Sequence, residues 1–92
     1  MIVSFNHKGL KQFYDSGNTA KLTPGHVSKI RRILTRLDNV ASPAEMNVPG
    51  YNLHKLSGNR KDFWSVKVDK NFRIIFRFIE EDVADVDYTD YH

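Results

Sequence analysis

Residues 63–88 read FWSVKVDKNFRIIFRFIEEDVADVDY, and the pattern of this run dictates the fold. Over 72–79 the side chains alternate with a period of two. Phe72, Ile74, Phe76 and Phe78 fall on one face, while Arg73, Ile75, Arg77 and Ile79 fall on the other. The phenylalanine face belongs to a core. Upstream, 63–68 alternate in the same way, with Trp64, Val66 and Val68 opposed to Phe63, Ser65 and Lys67. Asp69-Lys70-Asn71 makes a tight connection between the two, and Glu80-Glu81-Asp82 turns the chain into a last strand over about 83–88. Three strands joined by short turns predict an antiparallel meander.

Working outward towards the N-terminus, 51–56 (YNLHKL) reads as a further strand before the turn SGNRKD. Residues 39–50 form an irregular connection punctuated by Pro43, Pro49 and Gly50. A helix is predicted from Pro24 to Asp38. Thr23 stands at its N-cap and Pro24 at the first helical position, where a missing N–H is tolerated. Val27, Ile30, Ile33, Leu34 and Leu37 recur on one face of it, and Lys29, Arg31, Arg32 and Arg36 surround the rest. A shorter helix over about 7–15, capped by Asn6 and ended by Gly17-Asn18, follows a first strand at 2–5. Helices first and strands afterwards indicate an α+β fold, one domain over 1–92, with a partly exposed sheet face.

Composition narrows the function classes. Hydrophobic residues make up 40% and charged residues 27%, which excludes disorder throughout. Without cysteine, neither disulfides nor thiolate metal sites are available. The opening residues break their apolar run too soon for a secretory signal, and no stretch approaches the roughly 20 apolar residues of a membrane span. A cytoplasmic protein without membrane contact is therefore expected. Net charge is +3, unevenly spread: residues 1–79 hold all fourteen Lys and Arg against five acids, and 80–92 hold six acids and no Lys or Arg. Such a basic body attracts polyanions.

Arg73 and Arg77 project from one strand face roughly 13 Å apart, and a guanidinium held there offers a planar fork to phosphate. The alternative is a pair of solvent-facing arginines bound to Asp85 or Asp87. Of four histidines, His54 lies on a strand, His7 and His26 near helix starts, and His92 at the end of TDYH beside Tyr91. Imidazole exchanges protons near neutrality, which makes His54 and His92 candidate acids or bases, whereas the helix dipole disfavours a charged imidazolium at His7 and His26. The ligand spacings of zinc and calcium sites are absent, as are phosphate-binding glycine loops, so no metal or cofactor is expected.

Four segments in order, IVSFNHKGLKQF, NLHKLSGNRKDFWSVKV, NFRIIFRF and DYTDYH, closely resemble the HigB toxins, a branch of the RelE-like family. The resemblance implies two helices on one side of a curved antiparallel sheet and an RNA-facing cleft on the other. It implies cleavage of messenger RNA in the ribosomal decoding site and a HigA-like antitoxin that carries the DNA-binding domain, the toxin itself reading no DNA sequence. The family's catalytic positions fall on His54, Arg73, Asp90, Tyr91 and His92, with Lys55 and Arg77 as RNA-binding neighbours. Ser57 stands where some relatives have a basic residue, a contact that Lys55, Arg60 or Lys61 would supply. Two other readings fit the same residues: a non-catalytic RNA- or ribosome-binding module, and an inactive homologue kept for antitoxin binding.

Overall fold

The computed structural model describes residues 1–90. Its first helix, α1 (Lys8–Ser16), buries Gly9, Leu10 and Phe13 and ends at Gly17, whose left-handed φ of 77° lets its N–H return to the Phe13 carbonyl. The N-cap is His7 rather than Asn6: the His7 Nδ1 accepts from the Leu10 N–H at 3.0 Å. Asn6 stands one residue further out, where its N–H donates to the Val86 carbonyl.

Pro24–His26 form a single 3-10 turn that feeds α2 (Val27–Leu37). Thr23 occupies the turn's N-cap without a side-chain hydrogen bond. Ile30, Ile33, Leu34 and Leu37 are buried on one face of α2, as the spacing predicts. Each such side chain contributes about 1.5–3 kcal/mol of transfer free energy against its ordering cost. The connection after α2 contains a second 3-10 turn, Pro43–Met46, closed by reciprocal bonds between Ser42 and Glu45.

Four antiparallel strands follow in the order β1-β2-β3-β4: β1 (His54–Lys55), β2 (Phe63–Lys67), β3 (Phe72–Ile79) and β4 (Asp82–Asp90). Both helices lie on one face of this sheet, where Leu10, Phe13, Ile30, Ile33 and Leu37 pack with Val66, Ile74, Phe76, Val83 and Val86. No helix among the described residues is long and apolar enough to cross a membrane.

Three departures from the predicted strands have local causes. Only two residues of 51–56 pair as a strand, because Asn52 takes a φ of 52° and kinks the chain. Residues 2–5 make two isolated parallel bridges, Ile2 with Val83 and Phe5 with Val86, so they border β4 without forming a full strand. The gap between the bridges meets the third departure, a bulge in β4. The register is Ile75 opposite Asp87 but Arg77 opposite Ala84, which inserts one extra residue near Asp85, at φ 54°. Strict alternation would have set Val83 and Val86 on opposite faces; the bulge buries both. Ser4 Oγ accepts the Asp85 N–H at 2.8 Å, satisfying the donor that the bulge takes out of the ladder.

Candidate active site

The sheet face turned away from the helices is built from cross-strand rows. One row runs His54, Ser65, Ile75, Asp87, and the next runs Lys67, Arg73, Thr89. Over these rows lies a cleft of about 310 Å³ lined by Leu56, Arg60, Ser65, Arg73, Ile75, Thr89 and Asp90. Ile75 is buried, at 4% exposure, yet lies outside the helix-side core, so it serves as apolar floor for this cleft. Beside it Ser65 is 2% exposed, and its hydroxyl has no hydrogen-bond partner among the described residues.

Each wall has a local cause. Gly58, at φ 68°, starts the 3-10 turn Gly58–Arg60 that brings Arg60 over the cleft. Arg73 is the second residue of β3, one step beyond the turn in which the Asp69 carboxylate accepts the N–H groups of Asn71 and Phe72, both at 2.8 Å. Those two bonds, with that to the Asn71 N–H foremost, together with His26, hold the Asp69 carboxyl below its ordinary pKa. Asp90 is the last residue of β4 and borders the cleft at that end.

Of the residues singled out from sequence, Arg60, Arg73 and Asp90 meet in this cleft. His54 is exposed at the sheet edge on the same face, in register with Ser65. Lys55 is not with them. It pairs with Trp64 and its ammonium lies over the Trp64 ring, 5.6 Å from the centroid, on the opposite side of the sheet from His54. Lys61 is exposed in the turn after Arg60 and does not line the cleft. Arg77 keeps the cleft's face but is engaged elsewhere, its Nε donating to Asp85 in the bulge at 2.5 Å. Tyr91 and His92 lie outside the described residues.

The other histidines serve the fold: His7 caps α1, and His26 is buried between Tyr88 and Asp69. Among the described residues no side-chain hydrogen bond engages His54, which leaves its imidazole available at the cleft edge. Lys67, Ser65, Ile75 and Thr89 also belong to this face, and the sequence nominated none of them. The alternation did put Ser65 and Lys67 on one face, but only the register shows which residues stand across from them. Among the described residues no group of three or more His, Cys, Asp or Glu converges as a metal site. Two guanidinium groups, two hydroxyls and an apolar floor, with the single acid Asp90 at one end, make a surface suited to a phosphate with its attached sugar or base.

The fold and this sheet-face cleft define a class, and comparisons with known proteins agree. The family model of the RelE-like toxin of the type II toxin-antitoxin system HigB matches residues 3–92. The chain is 40% identical to "Endoribonuclease HigB" of Proteus vulgaris over 92 residues, covering all of both chains. It is 32% identical to "Toxin HigB-1" of Vibrio cholerae over 94 residues, covering all of this chain and 98% of that one. In three dimensions it resembles the YoeB-YefM complex from Staphylococcus aureus, at a TM-score of 0.64 and 17% identity, covering 100% of this chain and 95% of that chain. The chain belongs to the HigB family of RelE-like toxins of type II toxin-antitoxin systems.

Proposed function

We propose that this toxin is a metal-independent endoribonuclease that cuts messenger RNA in the decoding site of the ribosome and is neutralised by a HigA-like antitoxin. The observation that carries the reading is the joining of Arg73, Arg60 and Asp90 in one cleft with an uncommitted His54 at its edge. His54 and Arg73 stand two strands and two residues apart, a Cα separation of about 12 Å from ordinary strand spacings. An arginine and an imidazole reaching inward span that distance to a shared phosphate.

In the proposed reaction the ribose 2′-oxygen attacks its adjacent phosphorus while His92 or His54 accepts the 2′-OH proton. The bond from phosphorus to the 5′-oxygen breaks, and the other imidazole protonates the departing oxygen. The products are a 2′,3′-cyclic phosphate and a 5′-OH end. Arg73 stabilises the charge that gathers on the phosphoryl oxygens. Asp90 orients an imidazole, and Tyr91 positions a base. The ribosome supplies alignment by holding the message near the reactive geometry.

The test is cleavage on programmed ribosomes with both new ends mapped, with and without chelator at preserved ribosome integrity. Wild type should yield 5′-OH ends in either condition, and Arg73→Ala, His54→Ala and His92→Ala should each cut more slowly. Undiminished cleavage in all three variants rejects these roles. Loss of cleavage with chelator rejects metal independence. Arrested translation over intact message supports a binding module, and the absence of both arrest and toxicity on expression supports an inactive homologue.

A further inference from the structure

Arg73 is the second residue of β3 and pairs with Thr89, one rung from the start of that strand, where Phe72 pairs with Asp90. Strand ends open more readily than strand centres, so residues that must hold a substrate there need bracing from elsewhere. The bracing lies on the opposite face of the same rungs. Phe72 and Tyr88, the chain neighbours of Arg73 and Thr89, stack with ring centroids 5.1 Å apart and planes 28° apart. His26, at the end of the 3-10 turn before α2, packs its ring 5.0 Å from Phe72 and 6.0 Å from Tyr88.

The imidazole also joins two polar groups. Its Nδ1 lies 2.6 Å from the Tyr88 hydroxyl, and its Nε2 lies 2.6 Å from Asp69 Oδ2. A neutral ring with its proton on Nε2 satisfies both: Nε2–H donates to the carboxylate, and the tyrosine O–H donates to Nδ1. The second oxygen of Asp69 accepts the Asn71 and Phe72 N–H groups. One buried side chain thus ties the entry of β3 to the exit of β4, directly beneath the arginine of the cleft. His26 and Tyr88 are each 8% exposed, so water competes little for these bonds.

We infer that His26, acting through Tyr88 and Asp69, is a positioning residue that fixes Arg73 against the scissile phosphate. The inference rests on the ribonuclease reading of the cleft. Displacement of a reacting group by an ångström lowers rates by about a hundredfold, which makes such a brace consequential for chemistry. Binding of the ribosome involves the wider surface and is independent of it.

The test uses Tyr88→Phe, which keeps the ring on Phe72 and removes only the hydroxyl, beside His26→Ala. Single-turnover cleavage on programmed ribosomes is measured over a range of toxin concentrations, below the unfolding temperature of each variant. The limiting rate should fall about tenfold, while the half-saturating concentration stays within about threefold. In 15N-labelled protein, the Arg73 Nε–H and Thr89 amide signals should move in Tyr88→Phe, while those of His54 and Ser65 hold. A wild-type limiting rate in both variants overturns the inference, and so does a change confined to half-saturation. An unmoved Arg73 signal overturns it as well, even if wild type cuts no message. Failure of wild type to cut message would refute the ribonuclease reading instead, which keeps the two failures distinct.

Discussion

Arg73 and Arg77 share a strand and a face, yet the residues around them assign them different tasks. Arg73 opens into the cleft, whereas Arg77 is held by Asp85, itself fixed by Ser4 across the bulge. Arg73→Ala should therefore lower the limiting cleavage rate by about 10²–10³, the range for losing a preorganised donor to transition-state charge. Arg73→Lys should recover only part of it, since an ammonium lacks the planar fork. Arg77→Ala should instead lower stability by about 1 kcal/mol in urea denaturation and leave cleavage per folded molecule within about threefold. A tenfold fall in cleavage by stable Arg77→Ala would place that guanidinium on RNA. Period two shows that both arginines share a face. The partner that separates them lies across a bulge that alternation does not register.

At the scale of elements, helical periodicity was legible because α2 buries a continuous apolar stripe, and β3 was legible because its alternation is unbroken. Of three non-glycine residues with left-handed backbone, Glu80 lies in the turn that the sequence predicts, whereas Asn52 shortens a predicted strand and Asp85 breaks the alternation of β4. The cap of α1 was misassigned because asparagine is the commoner cap and pairing of the N-terminal segment with β4 is a long-range event. That segment and α1 are clasped to the end of α2 by Asp38, which accepts the Ile2 N–H and the Tyr14 hydroxyl. Burial foremost, then the Asp38 carboxylate, raises the Tyr14 pKa from 10.0 to about 12. The folded state thus keeps a proton that the unfolded chain releases. This contribution is complete below pH 10 and is lost as pH rises towards about 12. Urea denaturation across that window should show stability falling more steeply in wild type than in Tyr14→Phe; equal slopes would contradict the clasp.

At the scale of the molecule, part of the uneven charge noted in the sequence is taken up within the fold. Asp82 pairs with the N-terminal ammonium and Asp85 with Arg77, while Asp87 accepts the Tyr88 N–H. Asp82 and Asp85 thereby brace the N-terminus and the β4 bulge, and the net charge of +3 still attracts a polyanion. Cleavage at low toxin concentration should weaken as salt rises, with the limiting rate much less affected, because screening acts on encounter more than on groups already in contact. A limiting rate that falls in step with encounter would contradict that division. The convergence of Arg60, Arg73 and Asp90 from a turn and two strands was not legible locally, since it arises only where the Gly58–Arg60 turn folds over the sheet beside the ends of β3 and β4. The most direct measurement is the mapping of both RNA ends on programmed ribosomes for wild type and Arg73→Ala. The account predicts 2′,3′-cyclic phosphate and 5′-OH ends from wild type and a loss of about 10²-fold or more in the variant. Intact message on arrested ribosomes, or equal cleavage by both proteins, would contradict it.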